Sequence, residues 1–253
     1  MSRKAGQGRR EPAGPDEGGA GSDDGEARGG GGLKENVRSL LAAVAIFLVI
    51  RTFLLQTFFI TSGSMEDSLL VGDFLVVNRA VIGSTIPFTS WRIPGYGEPR
   101  RGDILVFDPP HEPDLKLVKR LVGLPGDTLE MRDRVLYRNG VAQDEPYVKV
   151  TGLQDSSDPW MAWQAAYLAD GVDRSEYRPT RDDWGPLVLP PDRYFMLGDN
   201  RDESLDSRYW GLLEGWRLEG RASFIYYSYN RESYRPLAWL REVRWGRIFD
   251  RIR

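Results

Sequence analysis

Leu115-Lys-Leu-Val-Lys-Arg-Leu-Val-Gly-Leu-Pro-Gly-Asp127 is the stretch that decides the fold. Its apolar residues run with two adjacent cations and stop at a Gly-Leu-Pro-Gly-Asp turn signal. Strand alternation puts Leu117, Lys119 and Leu121 on one face, and Val118, Arg120 and Val122 on the other. Each face therefore carries one cation among apolar neighbours. A lysine buried in such company loses its proton more easily, because desolvation disfavours the ammonium form. A neutral lysine amine can serve as a general base. The plainer alternative is an edge strand with Lys119 and Arg120 in water.

Similar short runs lie on both sides of it. They are Asp73-Phe-Leu-Val-Val-Asn78, Asp103-Ile-Leu-Val-Phe107, Thr128-Leu-Glu-Met131, Val135-Leu-Tyr137 and Tyr194-Phe-Met-Leu197. Each is bounded by Gly, Pro, Asp or Asn, and Arg138-Asn-Gly-Val141 carries a hairpin signal. The fold class is mainly β: an antiparallel sheet or barrel-like domain. Residues 151–186 differ, being rich in Trp, Tyr, Asp and Pro. They read as an insertion or cap, with one short helix over Pro159–Leu168.

Upstream, Ser39-Leu-Leu-Ala-Ala-Val-Ala-Ile-Phe-Leu-Val-Ile50 continues past Arg51 and Thr52 into Phe-Leu-Leu-Gln-Thr-Phe-Phe-Ile60. Residues 35–57 are long enough to span a bilayer, which takes roughly 20 apolar residues. Arg51 near one end can snorkel to the headgroups. A buried core helix and a cleaved signal peptide are the alternatives. The Gly-rich residues 1–34 hold too little apolar surface to order themselves and read as a disordered tail. Lys34 and Arg38 before the span favour a cytoplasmic tail and an extracytoplasmic domain at 58–253.

Composition narrows the chemistry. The 253 residues include no cysteine and one histidine, His111. Thiolate metal sites and cysteine nucleophiles are excluded, and a Ser-His-Asp triad would have to use His111. His111 lies in Asp108-Pro-Pro-His-Glu-Pro113 and reads as exposed and non-catalytic. A net charge of −3 gives no reason to expect nucleic-acid binding. No metal or other cofactor is expected. Ser-x-x-Lys, Gly-x-Ser-x-Gly, Walker and dinucleotide motifs are absent.

Two polar stretches remain. Thr61-Ser-Gly-Ser-Met65 places hydroxyls and free N–H groups together, as a nucleophile and an oxyanion site require, although a plain loop has the same composition. Leu197-Gly-Asp-Asn-Arg-Asp-Glu-Ser-Leu-Asp-Ser-Arg208 is dense in charge but flanked by apolar residues. In it Asp206 and Arg208 can pair, and Ser204 can orient a catalytic group.

In this order the stretches resemble bacterial type I signal peptidases of the Ser/Lys class. The resemblance is carried by Phe58 to Leu69 with Gly72-Asp73, by Arg101 to Phe107, by Lys119 to Asp127, by Gly198 to Arg208, and by Arg244-Trp-Gly-Arg-Ile248. It implies a membrane-bound serine endopeptidase of the inner membrane that removes signal peptides from exported preproteins. Ser64 would be the nucleophile and Lys119 the general base. The Ser64 N–H and Ser62 hydroxyl would form the oxyanion hole. Ser204 would hydrogen-bond the lysine amine, with Asp199, Asp206 and Arg208 as support. Phe58, Ile60, Met65, Leu69, Leu117 and Val118 would line small-residue substrate pockets. Preproteins and membrane lipid would be its partners. Thr61 and Asp67 stand where proline is usual, and Glu203 where asparagine is frequent. The rival readings are a self-cleaving Ser/Lys regulatory module and a membrane-anchored binding module that has lost catalysis.

Overall fold

The computed structural model of the chain describes residues 32–86, 89, 91–112 and 115–253. The expected tail at 1–34 lies almost wholly outside them. Two compact units divide at Val44 and Ala45. The first is described from residue 32 and is helical. That helix, α1 (Gly32–Val49), continues as a wider turn over Ile50–Leu54. Its Leu- and Ala-rich run suits a helix. Lys34–Leu54 forms a 21-residue stretch whose 18-residue apolar window has a mean hydropathy of 2.1 and is not buried within the chain. A helix apolar on all sides belongs in a core or a membrane.

The helical path stops three residues short of the expected 57, because Leu55–Thr57 pair with a strand. The strands are β1 (Leu55–Phe59), β2 (Asp73–Asn78), β3 (Gly83–Thr85), β4 (Arg92–Pro94), β5 (Ile104–Phe107), β6 (Leu117–Gly123), β7 (Thr128–Arg132), β8 (Val135–Arg138), β9 (Val141–Ala142), β10 (Trp184–Val188), β11 (Arg193–Leu197), β12 (Leu213–Glu214) and β13 (Leu218–Ser228). A seven-stranded sheet runs β1-β2-β13-β5-β6-β11-β12, curled into a half-barrel, and a four-stranded sheet runs β10-β7-β8-β9. Every named strand pairing is antiparallel. At the β8–β9 hairpin Asn139 and Gly140 both have positive φ, 53° and 78°, as a type I′ turn requires.

β6 is central, not an edge. It pairs with β5 through Leu105↔Lys119 and with β11 through Leu197↔Arg120. Lys119 and Arg120 are each 2% exposed, which overturns the solvated alternative. Arg120 is matched by Asp199 at two contacts, Nε to Oδ1 at 2.8 Å and Nη2 to Oδ2 at 2.7 Å. Its Nη1 also donates to Gly102 O at 2.8 Å, and the guanidinium lies 3.7 Å from the centre of the Tyr147 ring.

The 151–186 region packs on the four-stranded sheet. Pro159–Tyr167 is a 3₁₀ helix, where a short helix was expected, and Asp158 caps it by accepting from Trp160 N at 2.8 Å. Met161 is buried with Leu129, Trp184, Leu187 and Phe195. Within this region the sequence reading missed the start of β10. His111 is half-buried rather than exposed, its ring 6.1 Å from that of Trp160 and 6.2 Å from that of Trp210.

Removing one partner of a buried ion pair leaves the other charge stranded, at about 3–5 kcal/mol. Asp199→Ala should lower unfolding stability by that amount in denaturant titrations of the full chain. Glu242→Ala breaks the exposed Arg235 pair and should change it by less than about 1 kcal/mol.

Candidate active site

After β1 the chain stays extended through Ser62 and then turns over Gly63–Met65. Ile60 anchors this path at both groups: its N–H donates to Asp73 O at 2.9 Å, and its carbonyl accepts from Gly72 N at 3.0 Å. Gly72 is required there. Its φ is +99°, and a Cβ would fall 2.0 Å from Tyr229 O. The Asp73 carboxylate, fully buried, accepts from Leu70 N, Ser228 Oγ and two nitrogens of Arg247. Arg244 donates to Val71 O at 2.9 Å and Arg247 to Ser68 O at 3.0 Å. The Arg244–Ile248 stretch thus braces the loop that carries Ser64.

The turn presents the Ser64 hydroxyl to β6. Lys119 Nζ lies 2.5 Å from Ser64 Oγ. Ser62 Oγ lies 3.4 Å from the same oxygen. Burial lowers the Lys119 pKa from 10.5 to about 8; the Arg208 charge adds to the shift, and Asp206 and Asp199 oppose it.

The polar stretch after β11 walls the site. Asp206 and Arg208 form a buried bidentate pair, 2.8 Å at both contacts. Burial works against the Asp206 charge, but the adjacent guanidinium holds its carboxyl below the ordinary value. Asp199 serves Arg120 rather than Lys119. Ser204 is buried; its Oγ faces Asp206 and adds to the lowering of that carboxyl, and it makes no hydrogen bond with the Lys119 amine. Gly198 lets these parts meet: a Cβ there would fall 2.2 Å from Ser204 Oγ and 2.5 Å from Ser64 O.

Asn200 is a residue the sequence reading did not single out. Its N–H donates to Ser64 O and its Nδ2 to Gly63 O, each at 3.2 Å. Two bonds from one buried residue thus hold the Ser64 turn. Its place between Asp199 and Arg201 was the available signal. Arg120 was placed on the strand but given no role, because alternation within β6 does not point to Asp199 as its partner.

Of the expected pocket residues, Phe58, Ile60, Met65, Leu69 and Val118 share one core cluster. Leu117 packs elsewhere, with Leu105, Phe107 and Leu121. Asp67 has φ +78°, a conformation closed to proline, so this turn differs from one built on proline. Among the described residues no three His, Asp or Glu side chains gather as a metal site.

A hydroxyl in contact with a buried lysine amine is an arrangement found in the class of hydrolases that use an activated serine. Comparison with known proteins gives the family. The profile of "Signal peptidase, peptidase S26" matches residues 33–227. Signal peptidase I of Pseudomonas aeruginosa is 36% identical over 217 residues, covering 78% of this chain and 73% of that one. Signal peptidase I of Bacillus licheniformis is 34% identical over 199 residues, 78% of this chain and 90% of that one. A crystal structure of a signal peptidase I from Enterococcus faecalis V583 is 34% identical, with a match over 49% of this chain and 96% of that one and a TM-score of 0.34. The chain belongs to the signal peptidase family, peptidase S26, and is a protease.

The lysine leaves a thermodynamic mark. Unfolded, Lys119 keeps its proton to about 10.5; folded, it loses it near 8. Between those values the unfolded state binds more protons, so stability rises with pH. Below about 8 the folded state carries the full cost of the buried charge. In Lys119→Met this part of the rise should vanish, as pH-resolved unfolding would show.

Proposed function

We propose that the protein is an anchored Ser/Lys endopeptidase that cleaves signal peptides from exported preproteins. The 2.5 Å approach of Ser64 Oγ to the Lys119 amine carries the proposal. Neutral Lys119 accepts the Ser64 hydroxyl proton as Oγ attacks the scissile carbonyl. The oxyanion is met by the Ser64 N–H and the Ser62 hydroxyl. The lysine, now an ammonium, gives its proton to the leaving amine, and the C–N bond breaks. Lys119, neutral again, takes a proton from water, whose oxygen attacks the acyl carbonyl; the bond to Oγ breaks and the ammonium returns the proton to Ser64 Oγ. Ser204, whose Oγ does not touch the amine at rest, is proposed to accept from it only once it is an ammonium. Asp199, Asp206 and Arg208 keep the surrounding loop in place.

The apolar stretch Lys34–Leu54 supports a single-pass anchor in the inner membrane, with the tail cytoplasmic and the β domain extracytoplasmic. The substrate binds extended, with small side chains against the surface formed by Phe58, Ile60, Met65, Leu69 and Val118. Leu117, on a different core, is a poorer candidate for that contact. A self-cleaving regulatory module would cut its own chain and not a preprotein supplied in trans; a silent module would cut neither.

Cleavage of a purified preprotein separates these readings. Ser64→Ala and Lys119→Ala should each lose at least about 10³-fold in kcat/KM. Undiminished cleavage by either would contradict the dyad. Ser62→Ala, which removes one oxyanion donor, should lose about 10²- to 10³-fold, and His111→Ala should lose little. For the wild type, kcat/KM should rise with pH and level off near the Lys119 pKa of about 8. A limb at or below 6.5 would point instead to His111, whose own pKa burial lowers from that value.

A further inference from the structure

Where the apolar helix gives way to β1, a cleft of about 730 Å³ opens between Phe47, Leu48, Ile50 and Leu55, with Arg51 and Arg79 also in its lining. Neither arginine has a carboxylate partner among the described residues. Arg79 gives one N–H to Gln56 Oε1 at 2.7 Å, while its Nε is buried with no hydrogen-bond partner. Carboxylates are not scarce, since Asp and Glu outnumber Lys and Arg by 37 to 34. The helix is also wound wider over Ile50–Leu54, where the cleft forms, and such departures are frequent at functional sites.

From this geometry we infer a phospholipid site, in which Arg51 and Arg79 take the phosphodiester of an anionic lipid and the apolar wall takes the start of an acyl chain. Two guanidiniums without counter-charges complement one phosphate, and a planar guanidinium matches phosphate oxygens two at a time. A lipid fits better than a free anion because half of the lining is apolar and continues the membrane-crossing stretch. The inference rests on the anchor proposed above. A lipid held there would fix the depth of β1, and with it the approach of the Ser64 turn to the bilayer surface.

The test uses the full-length chain in detergent micelles, titrated with short-chain phosphatidylglycerol or phosphatidylcholine and read by calorimetry. The wild type should prefer phosphatidylglycerol. Arg51→Gln with Arg79→Gln should bind it about thirtyfold more weakly, from about fivefold for each cation near a membrane surface. The double lysine variant should recover part of the affinity. Arg174→Gln, at an exposed position elsewhere, should bind as wild type, and every variant should keep peptide cleavage in micelles. Equal affinity of the double glutamine variant and wild type would overturn the site. So would wild type lacking a phosphatidylglycerol preference, an outcome that needs no variant to fold. Displacement of the lipid by millimolar inorganic phosphate would make it a free-anion site and overturn it as well. Alkaline extraction of cell membranes reads the anchor separately. Release of the chain there sinks the anchor, whereas loss of lipid preference in a chain that stays in the membrane sinks only the cleft.

Discussion

Two adjacent cations buried on one central strand set the terms for the rest of this domain. Lys119 and Arg120 follow each other on β6, each 2% exposed, and neither can rely on water. The strand solves the two cases in opposite ways. Arginine does not give up its proton in proteins, so Arg120 must be matched in place, by the Asp199 carboxylate, a backbone carbonyl and the Tyr147 ring. Lysine can give up its proton, and Lys119 is given no carboxylate at hydrogen-bond distance. The contact it makes is to the Ser64 hydroxyl. Burial therefore does not stabilise this residue. It stores a preference for the neutral amine, which is the form that the proposed mechanism needs as a base.

That preference survives only if nearby charges are neutralised among themselves. Asp206 would otherwise hold Lys119 charged, and Arg208 occupies it with two short bonds. Arg201 and Glu145 form another buried pair, at 2.7 and 3.0 Å. Asp202 accepts from Thr151 N, Gly152 N and Leu153 N, tying the 151–186 region to the same loop. Buried polar networks of this kind are rigid when satisfied and costly when one member is lost. Rigidity is the useful property, because Asn200 transmits it to the Ser64 turn through two bonds to backbone carbonyls. On the other side of that turn, Asp73 and the C-terminal arginines hold the loop on which it sits.

Much of this was legible in the chain. The strands with clean apolar runs, β2, β5, β6, β7, β8 and β11, and the Asn139-Gly140 hairpin follow local rules that the structure obeys. The eleven-residue β13 was not read. Gly220 and Arg221 break its apolar pattern, and its pairing shifts register between Ala222 and Phe224 and between Ile225 and Tyr227. The first residues of β1, Leu55–Thr57, were absorbed into the span because they follow the apolar run directly; what takes them out of the helix is β2 as a partner. Whether Lys119 was wet or dry depended on which strands flank β6, and alternation within one strand carries no information about that. The resemblance to a family singled out Ser64 and Lys119, which the structure brings into contact; the geometry adds that Asp199 serves Arg120 and Asn200 holds the turn.

The central claim is that folded Lys119 is neutral at a pH where a lysine in water is charged. The direct measurement is an NMR titration of the lysine side chains labelled at the ε-carbon, in the folded full-length chain, with the Lys119 signal assigned by its loss in Lys119→Arg. The account predicts a midpoint near 8 for this signal. A midpoint near the ordinary value of about 10.4 would contradict it, because the amine beside Ser64 would then be an ammonium with no capacity to act as a base.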